Sequence, residues 1–353
     1  MKNSSKTRTA RADREWRTEG GLTIGMDLGD KESSVCVLGA DGEIRHQDRV
    51  RTTEPALQAA FSRVEPSLIV IEVGTHSPWV SRLLRALGHK VIVANPRRLK
   101  LISQSDSKSD RVDALMLAEL GRAMPRLLNP VQHRSAEAQA DLAMVRARTR
   151  MVEARTKLWN SLRGIAKSMG PRLPRKVKRE HLGCYGDRLD PLWEAVQKLS
   201  DGIQEYDELL EKLEEKYPAV QRLKKITGVG TIIALTFVLT LDDATRFHKS
   251  RQVGSYLGLR PQQRDSGQRQ PQLPITKTGD RYLRSLLIQG AQYILGKFGP
   301  DTDLRRWGLS LASRGGKAAK KRAVVAVARK LAVLMHRLWV SEQEYQPLRM
   351  GLA

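Results

Sequence analysis

The order of apolar and polar positions divides the chain into three stretches of different periodicity. Leu22 to Met26 and Ser33 to Leu38 are short apolar runs of β-branched character, and Asp27-Leu28-Gly29-Asp30-Lys31 between them reads as a turn, so the pair predicts a hairpin. Glu54 to Val64 steps as a helix, Leu68 to Val73 as a buried strand, Pro78 to Leu87 as a helix, and Lys90 to Ala94 as a strand ended by Asn95-Pro96. Alternating strands and helices predict an α/β layer with a mixed sheet, and the pattern turns helical from Asp110 to Arg122. Between Ser135 and Tyr217 the strand signal disappears. Leu142, Val145, Thr149, Val152, Thr156 and Trp159 step by fours and threes, as do Trp193, Val196, Leu199, Ile203, Tyr206, Leu210, Leu213 and Tyr217. Two amphipathic helices follow, joined by the Pro- and Gly-broken stretch Gly170 to Asp190. This spacing suits a helical hairpin, a coiled-coil seam or ordinary packing within a domain.

From about Leu223 the pattern is helical again. A Gly-punctuated turn, Ile226-Thr227-Gly228-Val229-Gly230, precedes the apolar helix Thr231 to Leu241. A polar loop spans Gly258 to Gly279, and helices are expected at Arg281 to Leu295, Asp301 to Ser313 and Ala318 to Val340. The last of these carries Lys317, Lys320, Lys321, Arg322, Arg329 and Lys330 over an Ala/Val-rich face. The expected organisation is a basic tail at 1–20, an α/β domain at 21–130, a helical region at 131–220 and a mainly helical domain at 221–345.

Charge changes the picture most. With 62 Lys and Arg against 38 Asp and Glu in 353 residues, the formal charge is +24. A phosphate backbone is the commonest partner able to screen such an excess, which makes nucleic acid the leading partner. Two cysteines are too few for a disulfide framework or a cysteine zinc site and point to a reducing compartment. The longest mainly apolar run, Ile232 to Leu239, falls far short of a membrane span of roughly 18 residues. Met1 to Arg17 is basic and polar without an apolar core, unlike a secretory signal, so a cytoplasmic, nucleoid-associated protein without a membrane partner is expected.

Against that basic background a few acids stand out. Asp27 and Glu72 each close an apolar strand, and Asp110 and Asp113 open a helix three residues apart, on one face. A carboxylate at the tip of a buried strand is costly without compensation, whether from a cation, a hydrogen-bond shell or a metal. Taken singly, Asp110 also reads as a helix N-cap or first-turn acid, and Asp27 as a turn residue before Gly29. Taken together, three element ends that each present an acid suit one or two Mg²⁺ ions, which prefer oxygen ligands and can clamp both oxygens of a phosphodiester exchange.

The ordered set Asp27, Glu72, Asp110, Asp113, with Gly25-x-Asp27 on the first strand and Lys108-x-Asp110-x-x-Asp113 on a helix, resembles the catalytic DEDD domain of RuvC-like transposases of the Piv-type invertase and bridge-RNA-guided insertion-sequence group. Ile226 to Gly230, Gly258-Leu259-Arg260-Pro261, Asp265-Ser266-Gly267 and Ile275 to Arg284 resemble that family's second domain. The resemblance implies a ribonuclease-H-like (RuvC-like) α/β domain, a helical coiled-coil insertion and a mainly α transposase domain. It implies a DNA recombinase in which the four acids hold Mg²⁺ and a loop serine, here Ser266, is the nucleophile. It further implies a structured bridge RNA that selects the DNA, and a homodimer or homotetramer. On the residues alone, Ser266 reads equally as a loop serine that caps its own backbone. Gly228 and Gly230 suit a helix-hairpin-helix turn whose N–H groups approach a phosphate, or a plain tight turn. Lys108, Lys277, Arg281 and Arg284 are candidate nucleic-acid contacts, with a solvated basic face as the simple alternative. A junction resolvase that uses water, a non-catalytic nucleic-acid-binding protein and an actin-like ATPase are competing readings; the last lacks a second phosphate loop.

Overall fold

The computed structural model describes residues 21–95, 109–170, 172–266 and 271–348. The expected basic tail and Lys108 lie outside them. The chain divides into two compact units, one ending at His133 and the next beginning at Arg134.

The first unit is a five-stranded mixed sheet with helices. Its strands are β1 (Thr23–Asp27), β2 (Glu32–Leu38), β3 (Ile44–Arg51), β4 (Leu68–Glu72) and β5 (Lys90–Ala94), in the order β3-β2-β1-β4-β5. β1 pairs antiparallel with β2 and β2 with β3, whereas β1, β4 and β5 run parallel, as the βαβ crossovers through α1 (Glu54–Phe61) and α2 (Ser77–Ala86) require. This mixed order is consistent with a ribonuclease-H-like domain. The side-chain period of two sends Ile24, Met26, Ile69 and Ile71 into the core with Leu57, Phe61, Val80 and Leu84 of α1 and α2. The opposite face is covered by α3 (Asp110–Ala123), whose Leu117 packs with Leu68 and Val70, and whose Ala114 and Ala118 pack with Cys36 and Leu38.

β3 was not foreseen. Its sequence, Ile-Arg-His-Gln-Asp-Arg-Val-Arg, has no apolar alternation because it is a mostly exposed edge strand, held by its ladder to β2. Its three arginines also disfavour pairing with a further strand.

The second unit is helical. α4 (Ala136–Ser168) and α5 (Gly186–Lys216) pack antiparallel: Lys216 meets Glu137 and Asp141 at 2.7 Å, Arg148 meets Asp207 at 2.5 Å, and the Trp159 and Trp193 rings meet edge to face at 5.6 Å. These contacts are within one chain, so the seam serves a helical hairpin and does not establish a coiled coil. Its two ends are anchored differently. Ala138, Leu142, Val145, Leu210 and Leu213 join the main helical core, while Leu162, Leu182 and Leu189 form a separate small cluster near the turn.

The main core is built around α7 (Thr231–Leu241), in which Ala234 to Leu241 are all buried. Around it pack α6 (Pro218–Lys224), α8 (Arg251–Tyr256), α9 (Arg281–Leu295), α10 (Asp303–Ala312) and α11 (Lys317–Ser341). The apolar run noted in the sequence is therefore an all-round buried helix. Among the described residues no helix is long and apolar enough to cross a membrane.

Candidate active site

Asp27 and Glu72 are the last residues of neighbouring parallel strands. The β1–β4 register runs from Thr23 beside Leu68 to Met26 beside Ile71, and its next step sets Asp27 beside Glu72. Alternation puts Thr23, Gly25 and Asp27 on one face of β1, and Leu68, Val70 and Glu72 on the same face of β4. That face is the one α3 covers.

The approach of α3 is set by glycine. A Cβ on Gly25 would stand 1.9 Å from the Ala114 carbonyl oxygen and 2.5 Å from the Ala118 nitrogen, and one on Gly121 would stand 2.3 Å from Val70 Cγ2 and 3.7 Å from Thr23 Cγ2. Toward its N-terminus α3 therefore advances along β1 from Thr23 to Gly25, antiparallel to the strand. Its first turn, with Asp110 and Asp113, heads toward the strand ends that carry Asp27 and Glu72. Ser109 caps the helix by accepting from Val112 N, which frees Asp110 from the capping role the sequence allowed it.

The four acids differ in surroundings. Asp27 and Glu72 are half-buried and Asp110 is exposed, while Asp113 is only 8% exposed and its buried Oδ1 has no hydrogen-bond partner among the described residues. An orphaned buried carboxylate oxygen is costly and suits a cation, so the all-oxygen donor set fits a hard divalent ion. The acids share one edge of the sheet without closing on a point: among the described residues, no group of three or more His, Cys, Asp or Glu is placed to hold a metal ion. The loop after Asp27 is pinned by Thr52, whose hydroxyl donates to Gly29 O at 2.9 Å and shares a 2.8 Å hydrogen bond with Ser33.

In the second unit, Ser266 is exposed in a loop whose base is a short antiparallel ladder. Gln262 N donates to Pro274 O, Thr276 N to Arg260 O and Lys277 N to Gly258 O, at 2.9 to 3.1 Å. Gly258 and Gly279 have positive φ, and each leaves no room for a Cβ against facing backbone, at 2.2 and 2.1 Å. Lys277 and Arg281 are exposed at the mouth of this loop.

Arg284 departs from its expected role as a nucleic-acid contact. It is 8% exposed and its Nη1 donates to Leu257 O and Thr278 O at 3.0 and 2.8 Å, so it latches the two ends of the serine loop together. Gly228, at φ +80°, allows the turn after α6 to touch Gly290 of α9, whereas Gly230 opens α7 with no atom within 4 Å of where its Cβ would lie.

The sequence reading missed Arg146 and Arg134. They approach Asp280, the N-cap of α9, at 3.0 and 3.7 Å, and so steady the far side of the loop. Partners more than a hundred residues apart leave no local signal.

Comparison with known proteins places these two sets of residues in one lineage. Residues 24–171 match an IS110-type DEDD domain described as "Transposase", and residues 220–305 match "Transposase IS116/IS110/IS902 family". The chain is 30% identical to a probable family 20 transposase of Pseudomonas aeruginosa over 92% of its own length and 98% of that protein's. This chain belongs to the IS116/IS110/IS902 family of transposases. Another relative, the transposase for insertion sequence element IS1111A of Coxiella burnetii, is 29% identical over 92% of this chain and 91% of its own. The pilin gene-inverting protein of Moraxella bovis is 22% identical over 76% and 78%. As a member of a transposase family, the chain acts in DNA recombination. The first match contains all four acids, and the second contains the Gly228–Gly230 turn and Ser266.

Proposed function

We propose that this protein cuts and rejoins the DNA strands of an insertion element, with Asp27, Glu72, Asp110 and Asp113 holding one or two Mg²⁺ ions and Ser266 as the nucleophile. The buried Oδ1 of Asp113, without a hydrogen-bond partner among the described residues and on a helix aimed at the ends of β1 and β4, carries the metal part of the reading. Asp27, Glu72, Asp110 and Asp113 would hold the ion, which would supply positive charge toward a phosphate and make a neighbouring hydroxyl easier to deprotonate.

In the proposed step the Ser266 Oγ–P bond forms as a P–O bond to deoxyribose breaks. The serine proton is taken up by a base and the departing sugar oxygen gains one. The phosphoester energy is kept, so rejoining needs no nucleotide. The Arg284 latch and the Arg146–Asp280 pair hold the loop base, and exposed Lys277 and Arg281 are suited to the phosphates on either side. A structured bridge RNA that selects the DNA, and a dimer or tetramer able to act on several strands, belong to the same proposal. The charge of +24 supports it through affinity for polyanions.

A hydrolytic reading, in which water attacks and Ser266 is idle, draws on one observation: the four acids all belong to the first unit, whereas Ser266 is an exposed loop residue of the second. Replacing Ser266 by Ala and Asp27 by Asn, separately, in a plasmid strand-exchange assay with Mg²⁺ and guide RNA distinguishes these. Each change is expected to lower exchange by about a hundredfold or more, and Ser266→Ala to abolish the protein–DNA adduct trapped by denaturation. Surviving adduct in Ser266→Ala removes the serine role, and full exchange by Asp27→Asn removes the metal role.

A further inference from the structure

From Leu304 to Ser341 the chain has ten Lys and Arg and not one Asp or Glu. Most of this stretch lies beyond residue 305, where the second family match ends. The ten cations are not equivalent. Arg305 donates to Ile294 O and Gly296 O at the end of α9, Arg306 pairs with Asp301, Arg329 packs over Gly254, and Lys330 stands 4.1 Å above the Trp307 ring. These hold the fold together. Arg314, Lys317, Lys320, Lys321 and Arg322 do not: all five are exposed, and none of their side chains has an ion-pair or hydrogen-bond partner among the described residues.

Helical geometry gathers them. Lys317, Lys320 and Lys321 fall at i, i+3 and i+4 on the first turns of α11, opposite buried Ala319 and Ala323, with Arg322 beside them and Arg314 just before the helix. The rest of the ridge is Gly315, Gly316 and Ala318. It has no aromatic side chain to stack on an unpaired base and no amide to read a base edge, so it fits a phosphate backbone, in keeping with duplex rather than single-stranded nucleic acid. Five like charges within about two helical turns repel one another unless a dense row of anions faces them, and duplex DNA offers one charge per about 1.7 Å of axis.

We propose that Arg314 and the first turns of α11 form a docking ridge for the backbone of duplex DNA, one that grips without regard to sequence and lies apart from the acids and Ser266 in the chain. The inference rests on the reading of the protein as one that acts on DNA, and its test separates the two. Full-length protein and the variant Lys317→Gln/Lys320→Gln/Lys321→Gln/Arg322→Gln, which keeps good helix formers, are titrated against a labelled random-sequence duplex from 50 to 200 mM salt. Matched circular dichroism and melting show that the variant is folded.

Loss of four phosphate contacts is expected to flatten the slope of log affinity against log salt by about 3 to 4, and to weaken binding at least about tenfold at the low-salt end. The loss should be the same for unrelated sequences. A variant with the parent's slope on DNA overturns the proposal, as does one whose slope changes only on a structured RNA. Should the parent itself show no salt-dependent DNA binding, it is the function reading that fails.

Discussion

Single side chains decide how the two candidate sites are held, and several do so in ways composition cannot show. Asp113 was visible as an acid near a helix start, but its burial comes from the contact of α3 with the sheet, which no local pattern contains. Arg284 reads as one more cation in a basic segment, until its carbonyl partners 27 and 6 residues away reveal a loop latch. His336 behaves similarly. It is 1% exposed in α11, its Nε2 faces Ala244 O at 2.9 Å and its Nδ1 faces Ser250 Oγ at 3.0 Å, and burial lowers its pKa from 6.5. A folded pKa below the unfolded one means that the unfolded chain takes the proton first. The stability tied to neutral His336 is thus whole above about pH 6.5 and is lost as pH falls from there toward the folded value. Denaturant midpoints measured from pH 7.5 to 5 should fall more steeply for the parent than for His336→Gln; equal slopes would show that His336 stays neutral in neither state's favour.

Among the elements, those with strong periodicity were legible and those defined by pairing were not. Lys90 to Ala94, Thr231 to Leu241 and Arg281 to Leu295 coincide with β5, α7 and α9, because burial writes a continuous or stepped apolar pattern. β3 left no such trace, since an exposed edge strand owes its form to β2. The order of the four acids was readable along the chain, but their sharing of one edge depends on the parallel β1–β4 register and on the direction of α3. Gly25 is the hinge of that arrangement. Its substitution by Ala would drive a methyl group into main-chain atoms of α3 that no rotamer change can move. The expected cost is about 1 to 3 kcal/mol, measured by urea unfolding, with loss of strand exchange exceeding the loss of folded protein as Asp110 and Asp113 are displaced. A Gly25→Ala protein of parental stability would mean that α3 does not pack this closely in solution.

For the molecule as a whole, charge and motif order foretold nucleic-acid chemistry better than they foretold architecture. The stretch expected to be a helical region, 131–220, contains α4 and α5, whose apolar steps follow the helical period. The hairpin's base nevertheless shares a core with α6 to α11, because Leu142, Val145, Leu210 and Leu213 point at helices that lie far along the chain. The first unit carries a different kind of internal marker. Cys36 is wholly enclosed where β2 meets α3, with Gln47 at 3.6 Å from its sulfur, and burial pushes its thiol pKa up. An alkylating reagent can reach that sulfur only when α3 lifts from the sheet. In a Cys184→Ser background, the alkylation rate then becomes a clock for how often the acid-bearing helix lets go, and DNA with Mg²⁺ should slow it if the acids close on an ion.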